Sequence, residues 1–362
     1  RLHHLARRPG RTVMPISRRF FLRDSAQALG AVSLLGGGAL TGCASTSPNT
    51  SSPSKDQAGK HAVRSIAAST LKVRDVAGLT MIQGAGCNVI ALGGPDGALM
   101  IDGGLAANSA VLLQVLNTAV KTSRVNTLIN THWHPEQTGS NEAVGKAGGT
   151  IIGHEVTKLT LGAALGNTSP LFEGTYGPLP KEALPTVTTY NTGSLQFAGE
   201  QVEYRYLPGA HTNGDLFVRF PRRNVIVAGG PVGSDRWPVI DYLNGGFMHG
   251  FLRSYEILSE IVKPDTIIIP ADGPTLTGAD VVMMKDVYWD LFKQFFVLFN
   301  KAFGPKDVAE FNLGKEFMGV GQVVADRPLM RQPGQALRER LGDPSRFLEY
   351  AYHSTQLATI PH

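Results

Sequence analysis

Cysteine is nearly missing from this 362-residue chain, which has only Cys43 and Cys87. One pair cannot staple a disulfide-rich scaffold, and it cannot supply an all-cysteine zinc site. Any metal site must draw on His, Asp or Glu. Charge is scarce too, at 17% of residues against 42% apolar, so the chain can build a core and wholesale disorder is excluded. Acids are missing from the N-terminal stretch, where residues 1–43 hold seven arginines and one acid, Asp24. That stretch carries +6 of a formal net charge of +5, which leaves −1 for residues 44–362. A near-neutral body has no electrostatic footprint for nucleic acid. No repeat of 20–50 residues is visible, and the 42 glycines follow no Gly-X-Y period, which excludes a solenoid and a collagen. A long apolar run is missing as well. Ala26–Gly42 spans 17 residues with five glycines, short for a membrane span.

What the first sixty residues do contain reads as an address. Ser17-Arg18-Arg19-Phe20-Phe21-Leu22-Arg23 resembles a twin-arginine export signal, and the apolar stretch after it has the length of a signal-peptide core. Met14 lies just before it, as a start codon would, which would make residues 1–13 an upstream artefact. Leu40-Thr41-Gly42-Cys43 resembles a lipobox, which implies lipidation of Cys43. Two or more acyl chains make a stable anchor. Residues 44–62, rich in Ser, Thr, Pro, Asn, Lys and Gln, read as a tether. The expected location is the periplasmic face of a bacterial membrane, held only through the lipid.

From Val63 the pattern is that of a layered α/β domain reaching residue 278. Strands are expected within Leu71–Leu105, then at Val125–Asn130, Thr150–Ile152, Leu195–Phe197, Val202–Leu207, Leu216–Phe220, Val225–Ala228 and Thr266–Pro270. Helices are expected at Ala106–Val120, Asn141–Ala147 and Phe251–Val262. Ala279–Phe303 reads as a long helix with Tyr288, Phe292, Phe295, Phe296, Phe299 and Phe303 roughly along one face. That face suits docking on the domain, a dimer contact or a lipid surface; Asp290 and Lys293 argue against a membrane span. Residues 279–362 form a C-terminal helical extension in this reading.

Chemistry gathers in turns that follow apolar strands. Thr131-His132-Trp133-His134-Pro135-Glu136-Gln137 places two histidines at i and i+2, which converge if the chain turns there. Pro208-Gly209-Ala210-His211-Thr212-Asn213-Gly214-Asp215 carries another histidine in a turn. Val227-Ala228-Gly229-Gly230 is a turn with no ligand, and Pro270-Ala271-Asp272-Gly273 offers a carboxylate. Neutral imidazole is the commonest protein ligand for zinc-like ions, although an isolated HxH pair is weak evidence.

Order and spacing of these turns resemble the metallo-β-lactamase superfamily, over about Leu71–Thr277. The resemblance implies a four-layer αββα sandwich and a first metal site of His132, His134 and His211. The family's second site falls on Glu136, Gln137, Gly230 and Asp272, all four changed. Glu136 adds a methylene, Gln137 offers a neutral amide, Gly230 offers nothing, and Asp272 is shorter than a histidine. One zinc-type ion follows, with no well-made place for a second. A harder ion held by Glu136 and Asp272 is the variant left open.

The roles implied are water activation by the ion, with Glu136 or Asp272 orienting the water or moving its proton. Asp102 is a candidate for orienting a histidine, with turn formation the alternative, and Asp215 is a candidate for supporting His211. Trp237 either lines the pocket or packs. His154 and Cys87 read as structural, and His249 and His353 as ordinary histidines. The expected function is hydrolysis of a small ester, lactone, thioester or amide-like substrate; the rival is a non-catalytic envelope protein that binds a ligand or partner. A redox role for iron is disfavoured, because Gly230 lacks the bridging carboxylate.

Overall fold

A computed structural model describes residues 67–163, 167–169, 172–300, 347, 350, 351 and 353–355, with backbone alone for 167–169, 172–174 and 294–300. The chain divides into two units, Arg1–Lys60 and His61–His362. The export-signal stretch, Cys43, the tether, Phe303 and most of the C-terminal extension lie outside the described residues, as do the side chains of Phe295, Phe296 and Phe299.

The first sheet is built from β1 (Lys72–Val76), β2 (Leu79–Gln83), β3 (Val89–Gly94), β4 (Gly97–Ile101), β5 (Val125–Ile129), β6 (Thr150–His154) and β9 (Val187–Thr189). They lie side by side in that order, antiparallel up to β4 and parallel from β4 to β9. A separate hairpin pairs β7 (Asn167–Ser169) with β8 (Phe172–Tyr176). The second sheet holds β10 (Thr192–Phe197), β11 (Glu200–Leu207), β12 (Asp215–Phe220), β13 (Val225–Gly229), β14 (Ile267–Pro270) and β15 (Leu276–Thr277). Only β13 and β14 pair in parallel there.

Side-chain alternation explains the layers. Successive strand residues point to opposite faces, so a strand covered on both sides must be apolar throughout. In β4, Leu99 and Ile101 face the second sheet while Ala98 and Met100 face α1 (Ser109–Ala119) and α3 (Asn141–Lys146). In β13, Val225 and Val227 face the first sheet, while Ile226 and Ala228 face α5 (Met248–Ile261) and α6 (Gly278–Asn300). Three apolar layers thus separate four layers of secondary structure, the αββα sandwich expected from the sequence. Leu112 and Leu116 of α1, and Phe251, Tyr255 and Leu258 of α5, repeat at helical spacing and seal the outer faces. Each fully buried aliphatic side chain contributes about 1.5–3 kcal/mol.

Several boundaries move: β10 begins at Thr192, ahead of Leu195, and β11 at Glu200, ahead of Val202. Residues Ala106–Asn108 form a 3-10 turn before α1, and α5 begins at Met248, ahead of Phe251. The long C-terminal helix packs as a cover: Val281, Met284, Val287, Tyr288 and Leu291 join the core with Phe347 and Tyr350. No helix among the described residues is long and apolar enough to cross a membrane.

Strand direction positions the site. β4 and β5 are parallel, as are β13 and β14, and β11 runs with β13 because β12 is antiparallel to both. The turns after β4, β5, β11, β13 and β14 therefore emerge at one rim, where α/β sheets place their ligands. The sheets are cross-linked there. Leu216 N–H donates to Thr131 O at 2.7 Å, and Asn88 N–H to Ala271 O at 2.7 Å. The Asn88 side chain adds donations to Pro270 O and Gly273 O, both at 2.9 Å.

Candidate metal centre

β5 ends at Ile129; Asn130 and Thr131-His132-Trp133-His134 follow it, and Pro135 then opens α2 (Pro135–Thr138), turning the chain out of extended geometry. The turn brings both imidazoles to face His211, in the turn between β11 and β12. The three rings lie edge to face with centroids 4.7–4.8 Å apart. One ligand atom from each lies within 4.8 Å of the others, and all three residues are buried.

Each ring is held by its remote nitrogen. His134 Nε2 meets the fully buried Asp241 carboxylate at 2.9 Å. His211 Nδ1 lies 2.5 Å from Val239 O, and a carbonyl can only accept, so Nδ1 carries the proton. His132 Nδ1 lies 3.1 Å from Thr131 Oγ1, whose own proton goes to Asp102 at 2.8 Å. With those protons assigned, the unprotonated nitrogens are His132 Nε2, His134 Nδ1 and His211 Nε2. His132 Nε2 is buried and has no hydrogen-bond partner. His134 Nδ1 and His211 Nε2 face each other at 3.0 Å with no proton left to place between them. Three converging lone pairs with pinned far sides suit a zinc-type cation.

Electrostatics agree with this assignment. Burial, with the neighbouring rings, holds His132 well below the usual histidine range. Burial and His134 lower His211 to about 3. Both are therefore neutral, as ligands must be, at ordinary pH. Beneath them, Asp102 adopts a left-handed backbone (φ 61°) and also accepts from Thr131 N–H at 2.8 Å. Burial pushes it up to about 7 against the two Thr131 hydrogen bonds. Asp102 thus reaches His132 through Thr131 and touches no histidine itself. Asp215 accepts from Thr212 N–H and Oγ1–H and from the His211 amide, bracing the turn; burial raises it to about 8.

The remaining predicted positions fall elsewhere. Glu136 Oε1 is 4.0 Å from His134 Nδ1 and 35% exposed. Gln137 is buried, and its Oε1 has no partner. Gly230 has a steric reason to be glycine: a Cβ there would sit 2.3 Å from His211 Cδ2 and 2.7 Å from Cγ. The ring occupies the place a bridging side chain needs. Asp272 is half-exposed and ion-paired with Arg236, which also approaches Asp235 at 3.6 Å. Among the described residues the cluster of potential ligands contains the three histidines alone, without Glu136 or Asp272.

A cavity of about 160 Å³ opens over His132 and His211. Trp237 both lines it and packs, stacking on Phe347 with centroids 5.5 Å apart. His154 caps α4 (Glu155–Leu161), accepting from Val156 N–H, and stacks on Tyr206 at 4.1 Å. Cys87 is buried and its thiol is pushed well up by that burial, so it is inert. His249 is exposed, and His353 rests on Tyr242. Sequence reasoning missed Asp241, Val239 and Arg236. The one available signal was that a ligating histidine needs a partner for its other nitrogen.

The sequence profile of the metallo-beta-lactamase superfamily matches residues 82–272, more than half of the chain. Among solved structures, a metallo-beta-lactamase from Pontibacter korlensis is 19% identical, covering 61% of this chain and 93% of its own, with a TM-score of 0.46. The DIM-1 metallo-beta-lactamase is 17% identical over 60% of this chain and 96% of its own, with a TM-score of 0.49. TMB-1 is 18% identical over the same shares, with a TM-score of 0.47. No curated protein matches the chain.

Proposed function

As the chain belongs to the metallo-β-lactamase superfamily, we propose that it is a hydrolase working with one zinc-type ion held by His132 Nε2, His134 Nδ1 and His211 Nε2. The observation that carries this reading is the convergence of three lone pairs whose rings are each pinned from behind. A bound ion of this type supplies Lewis acidity, polarising a carbonyl and making water nucleophilic near neutral pH. The chain supplies the rest. Water attacks the carbonyl carbon of an ester, lactone, thioester or amide-like substrate. Glu136 takes the proton that water loses and returns it to the departing oxygen, sulfur or nitrogen as the scissile bond breaks. Asp272 holds Arg236 at the mouth, and in this reading that is its contribution. Trp237 and Val232 give the substrate an apolar wall.

A second reading, a binding protein without turnover, is favoured by one observation: the His211 ring fills the place of a side chain at Gly230. A panel of esters, lactones, thioesters and β-lactams separates the two. Turnover lost in both His132→Ala and His211→Ala supports the hydrolase; turnover that survives both changes refutes it. The export signal and Cys43 lead us to propose a lipid-anchored protein. Cys43→Ser is expected to move it from the membrane to the soluble fraction.

A further inference from the structure

Two of the three histidines take their orientation from one short stretch of chain. Val239 O accepts from His211 Nδ1–H, and Asp241 accepts from His134 Nε2–H at 2.9 Å. The Asp241 N–H also donates to His211 O at 2.8 Å. His132 is held differently, by Thr131 beside it in the chain. Residues 230–247 run from β13 to α5 with no regular structure beyond the 3-10 turn Tyr242–Asn244, so no sheet ladder fixes Val239 and Asp241. Packing does so instead. Ile240 is fully buried in the core with α5. The C-terminal residues reach the same stretch from both ends. Trp237, two positions before Val239, stacks on Phe347 with 19° between the ring planes. Tyr242, next to Asp241, meets Tyr350 edge to face with centroids 5.8 Å apart. Such aromatic pairs are directional, so they set where the loop runs as well as how much area it buries. Ser354 fixes the register: its buried hydroxyl accepts from Met248 N–H at 3.1 Å and donates to Ala351 O at 2.8 Å. Phe247 precedes α5 without a side-chain cap, so Ser354 supplies from 106 residues away a bond that a local cap would make.

We propose that Phe347, Tyr350 and Ser354 are positioning residues of the metal centre. Docked, they hold residues 237–242 on the path that aims Val239 O at His211 and the Asp241 carboxylate at His134. Undocked, both rings lose their anchors while His132 keeps Thr131. Metal binding and docking of the C-terminal residues are therefore linked, each strengthening the other by the same factor. This inference rests on the three-histidine site of the proposed function, and is independent of whether any substrate is turned over.

The test compares the unchanged full-length protein with Phe347→Leu and Phe220→Leu. Phe220 is as buried as Phe347 but belongs to the core between the sheets, so it controls for lost stability alone. In metal-free protein, the imidazole N–H resonances of His134 and His211 are expected to exchange with water about fivefold faster in Phe347→Leu, with that of His132 unchanged. All three accelerating together, or none, would overturn the proposal. Zinc affinity is then measured by competition with a chelator. Phe347→Leu is expected to bind about three- to tenfold more weakly, and Phe220→Leu as the unchanged protein does. Ser354→Ala, a smaller change, is expected to weaken zinc about threefold and serves if Phe347→Leu does not fold. Equal affinity in the Phe347 and Ser354 variants, or an equal loss in Phe220→Leu, defeats the inference. The reciprocal effect is read in the unchanged protein: saturating zinc is expected to slow amide exchange at Ala351 and Ser354 severalfold, and no slowing counts against the link. Zinc bound by the unchanged protein but indifferent to Phe347 and Ser354 sinks this inference and leaves the metal reading intact. No zinc bound by the unchanged protein sinks both.

Discussion

The two sides of the pocket are held in different ways. On one side, His132, His134 and His211 are almost wholly buried, and each has its remote nitrogen fixed by Thr131, Asp241 or Val239. On the other, Glu136 and Asp272 are 35% and 43% exposed at the side chain, and the partner of Asp272 is a mobile type of side chain, an exposed arginine. The first side can receive an ion with little rearrangement. The second must pay solvation and ordering costs before it can coordinate anything. Burial by itself does not make a metal site; burial with each far nitrogen satisfied does.

The comparison is broken most severely by His134→Ala, which is expected to abolish metal binding, read as metal per chain falling from about one to none. Asp241→Ala tests whether the outer partners matter: it leaves His134 free to rotate, and metal affinity is expected to fall ten- to a hundredfold. Competition with a chelator measures this, and unchanged affinity would remove the distinction between the two sides. Gly230→Ala forces a methyl group against the His211 ring, and it is expected to cost about 1–3 kcal/mol in denaturant unfolding and to weaken metal binding.

A pH experiment reads the buried braces. Asp215 holds its proton up to about 8 in the folded protein, against 3.8 for an ordinary aspartate. Below the lower value both states are protonated; between the two, only the folded state is. Its contribution to stability therefore falls progressively from about pH 4 to about 8 and levels off above that. Metal-free protein is expected to lose about 1–2 kcal/mol from this group between pH 6.5 and 8, and Asp215→Asn to remove that loss. His211 acts in the opposite sense at lower pH. Lowered to about 3, it refuses a proton that the unfolded chain accepts below 6.5, so its contribution weakens on acidification. The smallest effect sharpens the comparison: Asp272→Asn is expected to change metal content and affinity less than twofold.

Much of this was legible in the sequence. The central strands were readable because being covered on both faces makes them continuously apolar, as in Ala98-Leu99-Met100-Ile101. The edge strand Lys72–Val76 was harder to place because four of its five residues are exposed. His132, His134 and His211 were visible because each sits in a turn after a strand. Asp241 was not, since its partner lies 107 residues away and Val239-Ile240-Asp241-Tyr242 has no local mark of function. The Arg236–Asp272 pair was hidden for the same reason. Gly230 could be read as a missing ligand; that a ring fills its space is a fact of three dimensions alone.

The Asn88 clasp has a consequence for how this rim can change. The loop bearing Asp272 is fastened by its main chain, through Ala271 O, Pro270 O and Gly273 O, to an asparagine of the opposite sheet. None of those bonds depends on the side chain at 272. The loop is thus a socket whose fitting can be exchanged while its wiring stays in place. A histidine, an aspartate or a neutral residue could occupy the position in turn without the scaffold being rebuilt. Asn88, far from the chemistry in sequence, is what makes that position evolvable.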